Sequence, residues 1–232
     1  MRHTSARSTI AACRPPEKLP VLYFRQWNHT ILGVSGVKLA DVLQGRSQPG
    51  PTERPKVDPA KLTLVTYPHP ALRKACGPVG DFDDKLAQVA ARMLAVMHEH
   101  KGVGLAGPQV GLSLRLFVCN STGEPDDDQV YVNPELSDFE GLLESDEGCL
   151  SIPEVNVIMR RARSVTLRAQ TVTGEPVRKH AEDLLARIWQ HETDHLDGKL
   201  IIDHMSEVDR MDNRRVLKQL EKDYAKRRRR SR

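Results

Sequence analysis

The sequence predicts an α+β fold, with short, mostly antiparallel strands around a central helix that carries an H-E-x-x-H motif and a further helix at the C-terminal end. Three observations lead there. Helical periodicity is confined to a few separate stretches. The strand-like runs are short and divided by turn-rich segments such as STGEPDDD and TGEP. Helices and strands do not alternate in the βαβ manner of a parallel sheet. With 232 residues, 39% hydrophobic and 28% charged, the chain has the balance of a globular protein and room for one good-sized domain or two small ones.

Residues 1–60 differ from the rest. They hold seven prolines and little sustained periodicity, the composition of a disordered extension or of sequence upstream of a misassigned start. Residues 1–16 also contain Arg2, Arg7, Arg14, Ser5 and Ser8 and no acid before Glu17, as organelle transit peptides do. The folded domain is expected over residues 61–225. It opens on the strand-like alternation LTLVTYP at 62–68. A helix follows, with Leu86, Val89, Ala90, Met93, Leu94 and Met97 at helical spacing, Asp83 as its cap and Gly102 beyond its end. RLFVCN at 115–120, VYVN at 130–133 and SVTLRAQTV at 164–172 read as strands. A second helix is expected from Glu182 to Leu196, ending at Gly198. A third, from Glu207 to Tyr224, gathers Val208, Met211, Leu217, Leu220 and Tyr224 on one side.

The formal net charge of +4 divides unevenly. Residues 1–60 carry nine basic against four acidic residues, and the basic tail 226–232 carries six basic residues and no acid. The stretch 61–225 has 20 basic against 27 acidic residues, so its net is −7, which argues against a basic face for nucleic acid built into the fold, and no DNA partner is expected. No apolar run is long enough for a membrane-spanning helix. Four cysteines without a C-x-x-C pair do not make a disulfide framework, so a reducing compartment is the default and a single chemically active cysteine becomes an option.

The strongest chemical signal is HETDH at 191–195. Residues four apart lie one turn apart on one helix face, so His191 and His195 can offer two imidazoles to one metal ion. Glu192 is swung about 100° around the axis, off the ligand direction but within reach of a water held there. Leu184, Leu185 and Ile188 make the preceding turns apolar. Buried imidazoles and a carboxylate need partners, and a metal supplies them. A catalytic site needs a third protein ligand and an open position. Downstream, Asp197, Asp203 and His204 do not have the spacing of metalloproteases. Upstream, Cys149 lies in ESDEGCLSIPE between Gly148 and Leu150, whereas Cys13, Cys76 and Cys119 sit in no ionisable cluster and are read as packing residues. A closed structural zinc site would require a fourth ligand, and none is obvious nearby.

The third segment is GVGLAGPQVG at 102–111. It lacks the order of a phosphate loop, and although Gly102, Gly104 and Gly107 match G-x-G-x-x-G, they follow a helix rather than a strand. What remains is a backbone open to close approach, with Gln109 able to aim an amide at an oxyanion.

Together GVGLAGPQ, EGCLSIPE and QHETDHLDG resemble the three motifs of the peptide deformylases, in their order and at about their separations. The resemblance covers residues 61–225, including the YPHPALRK opening. It implies that Cys149, His191 and His195 are the metal ligands and Glu192 the catalytic base. Gln109 and the Leu150 N–H would form the oxyanion site, and Gly104 would help to orient the formyl group. The physiological ion would be Fe²⁺, with Zn²⁺ or another divalent metal able to substitute, since Cys and His ligands do not separate the two. The substrate would be a nascent N-formylmethionyl polypeptide. The six basic residues of 226–232 read as a solvated tail or, since the substrate is a nascent chain, as a transient and salt-sensitive contact with ribosomal RNA. Val103, Leu184 and Ile188 are candidates for the pocket taking the methionine side chain. A monomer in the bacterial cytoplasm is expected, or a plastid or mitochondrial enzyme if residues 1–60 are a transit peptide. One departure is Gly107, where the family more often has Ala and where little functional effect is expected.

Overall fold

The computed structural model describes residues 58–230; the expectations for an extension or transit peptide lie almost wholly outside the described residues. The first helix, α1 (Asp84–Glu99), starts where the Asp83 carboxylate accepts a hydrogen bond from the Leu86 N–H, as the sequence predicts. Seven strands follow in two sheets: β1 (Gly104–Ala106), β2 (Leu116–Cys119), β3 (Gln129–Glu140), β4 (Leu143–Cys149), β5 (Ile152–Arg161), β6 (Ser164–Gln170) and β7 (Pro176–Glu182). Helices α2 (Asp183–Leu196) and α3 (Glu207–Arg230) complete the described chain. The larger sheet has the order β1-β2-β3-β6-β7, and β4 and β5 form a separate ribbon. Every strand pairing is antiparallel.

The sheet is covered on both faces, and strand alternation decides which residue goes where. Leu105, Leu116, Val118 and Val132 point to one side and pack with Leu86, Met93 and Met97 of α1. Ala106, Phe117, Cys119 and Tyr131 point to the other and pack with Ala186, Ile188 and Trp189 of α2. Because β2 is buried on both faces, LFVC reads as a continuous apolar run rather than an alternation. The β4–β5 ribbon forms a third apolar cluster, in which Val155, Val157 and Met159 meet Leu200, Ile201 and Met205, with Leu217 and Leu220 of α3 against it.

Two expectations need correction. The segment 62–68 is extended but forms no strand, because its N–H groups bond single carbonyls of two different segments: Val65 N to Gln109 O and Tyr67 N to Ser151 O, each at 2.8 Å. The apolar side of α3 does not begin at its first turn either. Val208 and Met211 are exposed, and packing starts only at Val216 and Leu217, where the helix meets the ribbon. The helix also runs past Tyr224 to Arg230.

Candidate metal centre

Three segments converge between the sheet and the ribbon. On α2, His191 and His195 face the same way, their rings 4.9 Å apart and nearly perpendicular. Cys149 ends β4, where the ribbon register jumps from Gly148 opposite Asn156 to Cys149 opposite Ile152. That irregularity turns the thiol towards α2, leaving Cys149 Sγ 3.2 Å from His195 Nε2. The sulfur and one nitrogen from each histidine all lie within 4.8 Å of one another, and all three residues are buried. No other such group of three occurs among the described residues.

Electrostatics favour a cation here. Burial disfavours an imidazolium at His191, yet the Glu147 carboxylate and the Cys149 sulfur reverse that balance and raise its pKa well above the ordinary histidine value. At His195 burial and the neighbouring His191 push the pKa well down, which suits a neutral ligand. Two buried polar atoms beside the group, Glu192 Oε2 and His195 Nδ1, have no hydrogen-bond partner among the described residues. A soft thiolate, two imidazoles and an orphaned carboxylate oxygen fit a divalent metal with an open coordination position.

The remaining predicted residues surround this group. Glu192 is buried against β1, and burial pushes its carboxyl up to about 7. Gln109 is oriented by its own backbone neighbourhood: its Oε1 accepts from the Ala106 N–H at 2.7 Å, which turns its amide nitrogen towards Cys149 Sγ at 3.6 Å. Leu150 occupies the turn after Cys149. Gly104 faces α2, and a side chain there would collide with Glu192. Val103 and Leu184 are half-buried and Ile188 is fully buried; all three belong to the apolar cluster beneath α2.

Sequence reasoning gave no role to Glu147, although it opens the EGCLS motif. Its carboxylate is fully buried and contacts His191 Nδ1 at 2.6 Å, leaving the other ring nitrogen for the metal. Arg161 Nη2 donates to Glu147 at 2.6 Å and Arg187 Nη1 at 3.1 Å. Burial opposes ionisation of this carboxyl, but His191 and Arg161 outweigh it and hold its pKa well below the usual carboxylate range. The signal for Arg161 was present in the alternation Val155, Val157, Met159, Arg161, which places a cation on the inward face of β5.

The Polypeptide deformylase family model matches residues 61–211. A peptide deformylase of Acidobacterium capsulatum is 42% identical over 149 residues, covering 63% of this chain and 88% of that one. Among solved structures, a peptide deformylase from Legionella pneumophila superposes with a TM-score of 0.67 at 40% identity, over 71% of this chain and 97% of that one. One from Plasmodium falciparum does so with 0.68 at 35% identity, over 70% and 97%. Fold, site and comparisons agree, and the chain belongs to the polypeptide deformylase family.

Proposed function

We propose that this chain is a metal-dependent amide hydrolase that removes the N-formyl group from the N-terminal formylmethionine of newly made polypeptides and releases formate. The observation that carries this reading is the buried Glu192 carboxylate, with one oxygen unpartnered, beside Cys149, His191 and His195. When bound to these three ligands, a divalent ion supplies Lewis acidity and lowers the pKa of a water from about 15.7 toward about 7.

The chain's own groups do the rest. Glu192 has a pKa near neutrality, as a general base at cellular pH requires, and accepts the proton of the attacking water. The water oxygen bonds to the formyl carbon, and the former carbonyl oxygen takes up negative charge. The Gln109 amide and the Leu150 N–H donate to that oxygen. As the C–N bond breaks, Glu192 returns the proton to the departing amine, leaving formate and a free N-terminus. Gly104 keeps the wall beside Glu192 low enough for the small formyl group to be oriented there. Val103, Leu184 and Ile188 form the apolar wall for the methionine side chain.

The metal is read as Fe²⁺, with Zn²⁺ a substitute, and elemental analysis of anaerobically purified protein decides between them. We place the enzyme as a monomer in the bacterial cytoplasm; an organellar location follows instead if N-terminal sequencing of the mature protein shows residues 1–60 removed. No helix among the described residues is long and apolar enough to cross a membrane. The exposed basic end of α3, Lys226–Arg230, is read as a transient, sequence-independent contact with ribosomal RNA.

A formate-release assay on a short formyl-methionyl peptide tests the activity. One formate and one free amine per peptide are expected. Cleavage at an internal peptide bond would instead indicate a metalloprotease, and no reaction with metal-loaded protein would reject the hydrolase reading.

A further inference from the structure

The metal ligands come from two elements of separate origin, the ribbon strand β4 and the helix α2. Among the described residues no backbone pairing joins them, since β4 pairs there with β5 alone. Glu147 of β4 meets His191 and Arg187 of α2 directly, and one further buried side chain, carried by neither element, ties the two together. Arg161, 7% exposed, points inward from β5 and forks between two carboxylates. It donates through Nε and Nη2 to Glu147 Oε2 and Oε1 at 3.1 and 2.6 Å. Through Nη1 it donates to Asp194 Oδ2 at 2.6 Å. Glu147 lies two residues before Cys149 on β4, and Asp194 immediately precedes His195 on α2. Glu147 in turn holds His191 Nδ1.

We propose that Arg161 is a positioning residue for the metal centre, fixing the thiolate-bearing strand against the imidazole-bearing helix so that all three ligands meet one ion. This inference rests on Cys149, His191 and His195 being the ligands. The chemistry favours arginine over lysine, because a planar guanidinium can serve two carboxylates at once through separate N–H groups whereas an ammonium is a point charge. The charges also close locally. Arg161 faces both Glu147 and Asp194, and Arg187 faces Glu147, while the Glu147 contact to His191 Nδ1 leaves Nε2 for the metal.

The test uses the full chain, stripped with a chelator and titrated with Co²⁺, in two variants. Arg161→Lys keeps the charge but loses the fork. Asp194→Asn removes the charge that Arg161 meets on α2, together with a half-exposed Lys199 pair at 3.8 Å, and leaves the Arg161–Glu147 pair intact. Read-outs are Co²⁺ affinity by competition with a chelator, the intensity of the sulfur-to-cobalt charge-transfer absorption, and the melting temperature of the metal-free protein. Loss of a group that orients a metal ligand typically costs about 10–100-fold in metal affinity. Both variants should therefore bind Co²⁺ at least about tenfold more weakly, with a reduced sulfur-to-cobalt band at saturation. A purely structural role would lower the metal-free melting temperature and leave affinity and absorption unchanged, and that result overturns the proposal. If Arg161→Lys does not fold, Asp194→Asn decides alone. Metal binding that survives Cys149→Ser undiminished would instead reject the ligand assignment.

Discussion

Gly104 lies directly against the carboxylate of Glu192, so that a Cβ built at residue 104 would stand 2.3 Å from Glu192 Oε1 and 2.9 Å from its Cδ. The colliding atoms are the end of a side chain rather than backbone. Gly104→Ala should therefore leave the fold standing and displace the carboxylate. We expect turnover to fall at least about a hundredfold, the scale of losing a positioned acid–base group, with metal content unchanged. Glu192→Gln should match it in both respects. Metal analysis alongside steady-state kinetics checks this, and loss of metal from well-folded Glu192→Gln would make Glu192 a ligand instead.

The ligand residues should behave differently. A metal bound only by the folded state adds its binding free energy to folding. Cys149→Ser and His191→Ala should each lose the metal and melt at a lower temperature than the loaded parent, close to the parent stripped by chelator. Full occupancy and activity in Cys149→Ser would send the search for a third ligand elsewhere.

Gly107 has a local reason in this chain. A Cβ there would stand 2.6 Å from the backbone oxygen of Leu114 and 3.2 Å from that of Leu112. Backbone cannot swing aside as a side chain can, so Gly107→Ala should destabilise by about 1–3 kcal/mol, the usual cost of overpacking. Chemical denaturation of the metal-loaded protein measures it; a variant at least as stable as the parent would contradict the packing argument.

The basic end of α3 makes a separable prediction. Arg227 reaches Thr66 Oγ1, but Lys226 to Arg230 are otherwise on an exposed helix end far along the sequence from the ligands. Deleting residues 226–232 should leave turnover of a short formyl peptide unchanged and weaken co-sedimentation with ribosomes at low salt. The difference should shrink as salt rises, since phosphate contacts are salt-dependent. Equal binding by both forms at low salt would leave these residues as a solvated surface.

The parts of the molecule that were legible in the sequence are those whose signal is local. Asp83 announces α1, Gly198 at φ +74 closes α2, and HETDH gives its geometry from helical spacing alone. The ribbon was missed because its information is spread across chain distance. Leu143–Cys149 is polar enough to read as loop, and it becomes a strand only when paired with β5. Segment 62–68 erred in the opposite direction: its alternation is real, but Leu62 packs under α1 while Val65 and Tyr67 lie against the ribbon cluster, so no single sheet face organises it. Glu147 and Arg161 are 14 residues apart and meet inside the protein. A charged residue at an inward strand position was visible in the pattern, but its partners were not.

Activity should depend on metal at a single site. The decisive measurement is formate release from a formyl-methionyl peptide by chelator-stripped protein, as divalent metal is returned in steps under exclusion of oxygen. Activity should be absent at the start, rise linearly and saturate at one metal equivalent per chain, the number that Cys149, His191 and His195 can hold. Full activity in the stripped protein, or a rise that continues to two equivalents, would contradict a mononuclear centre at these three residues.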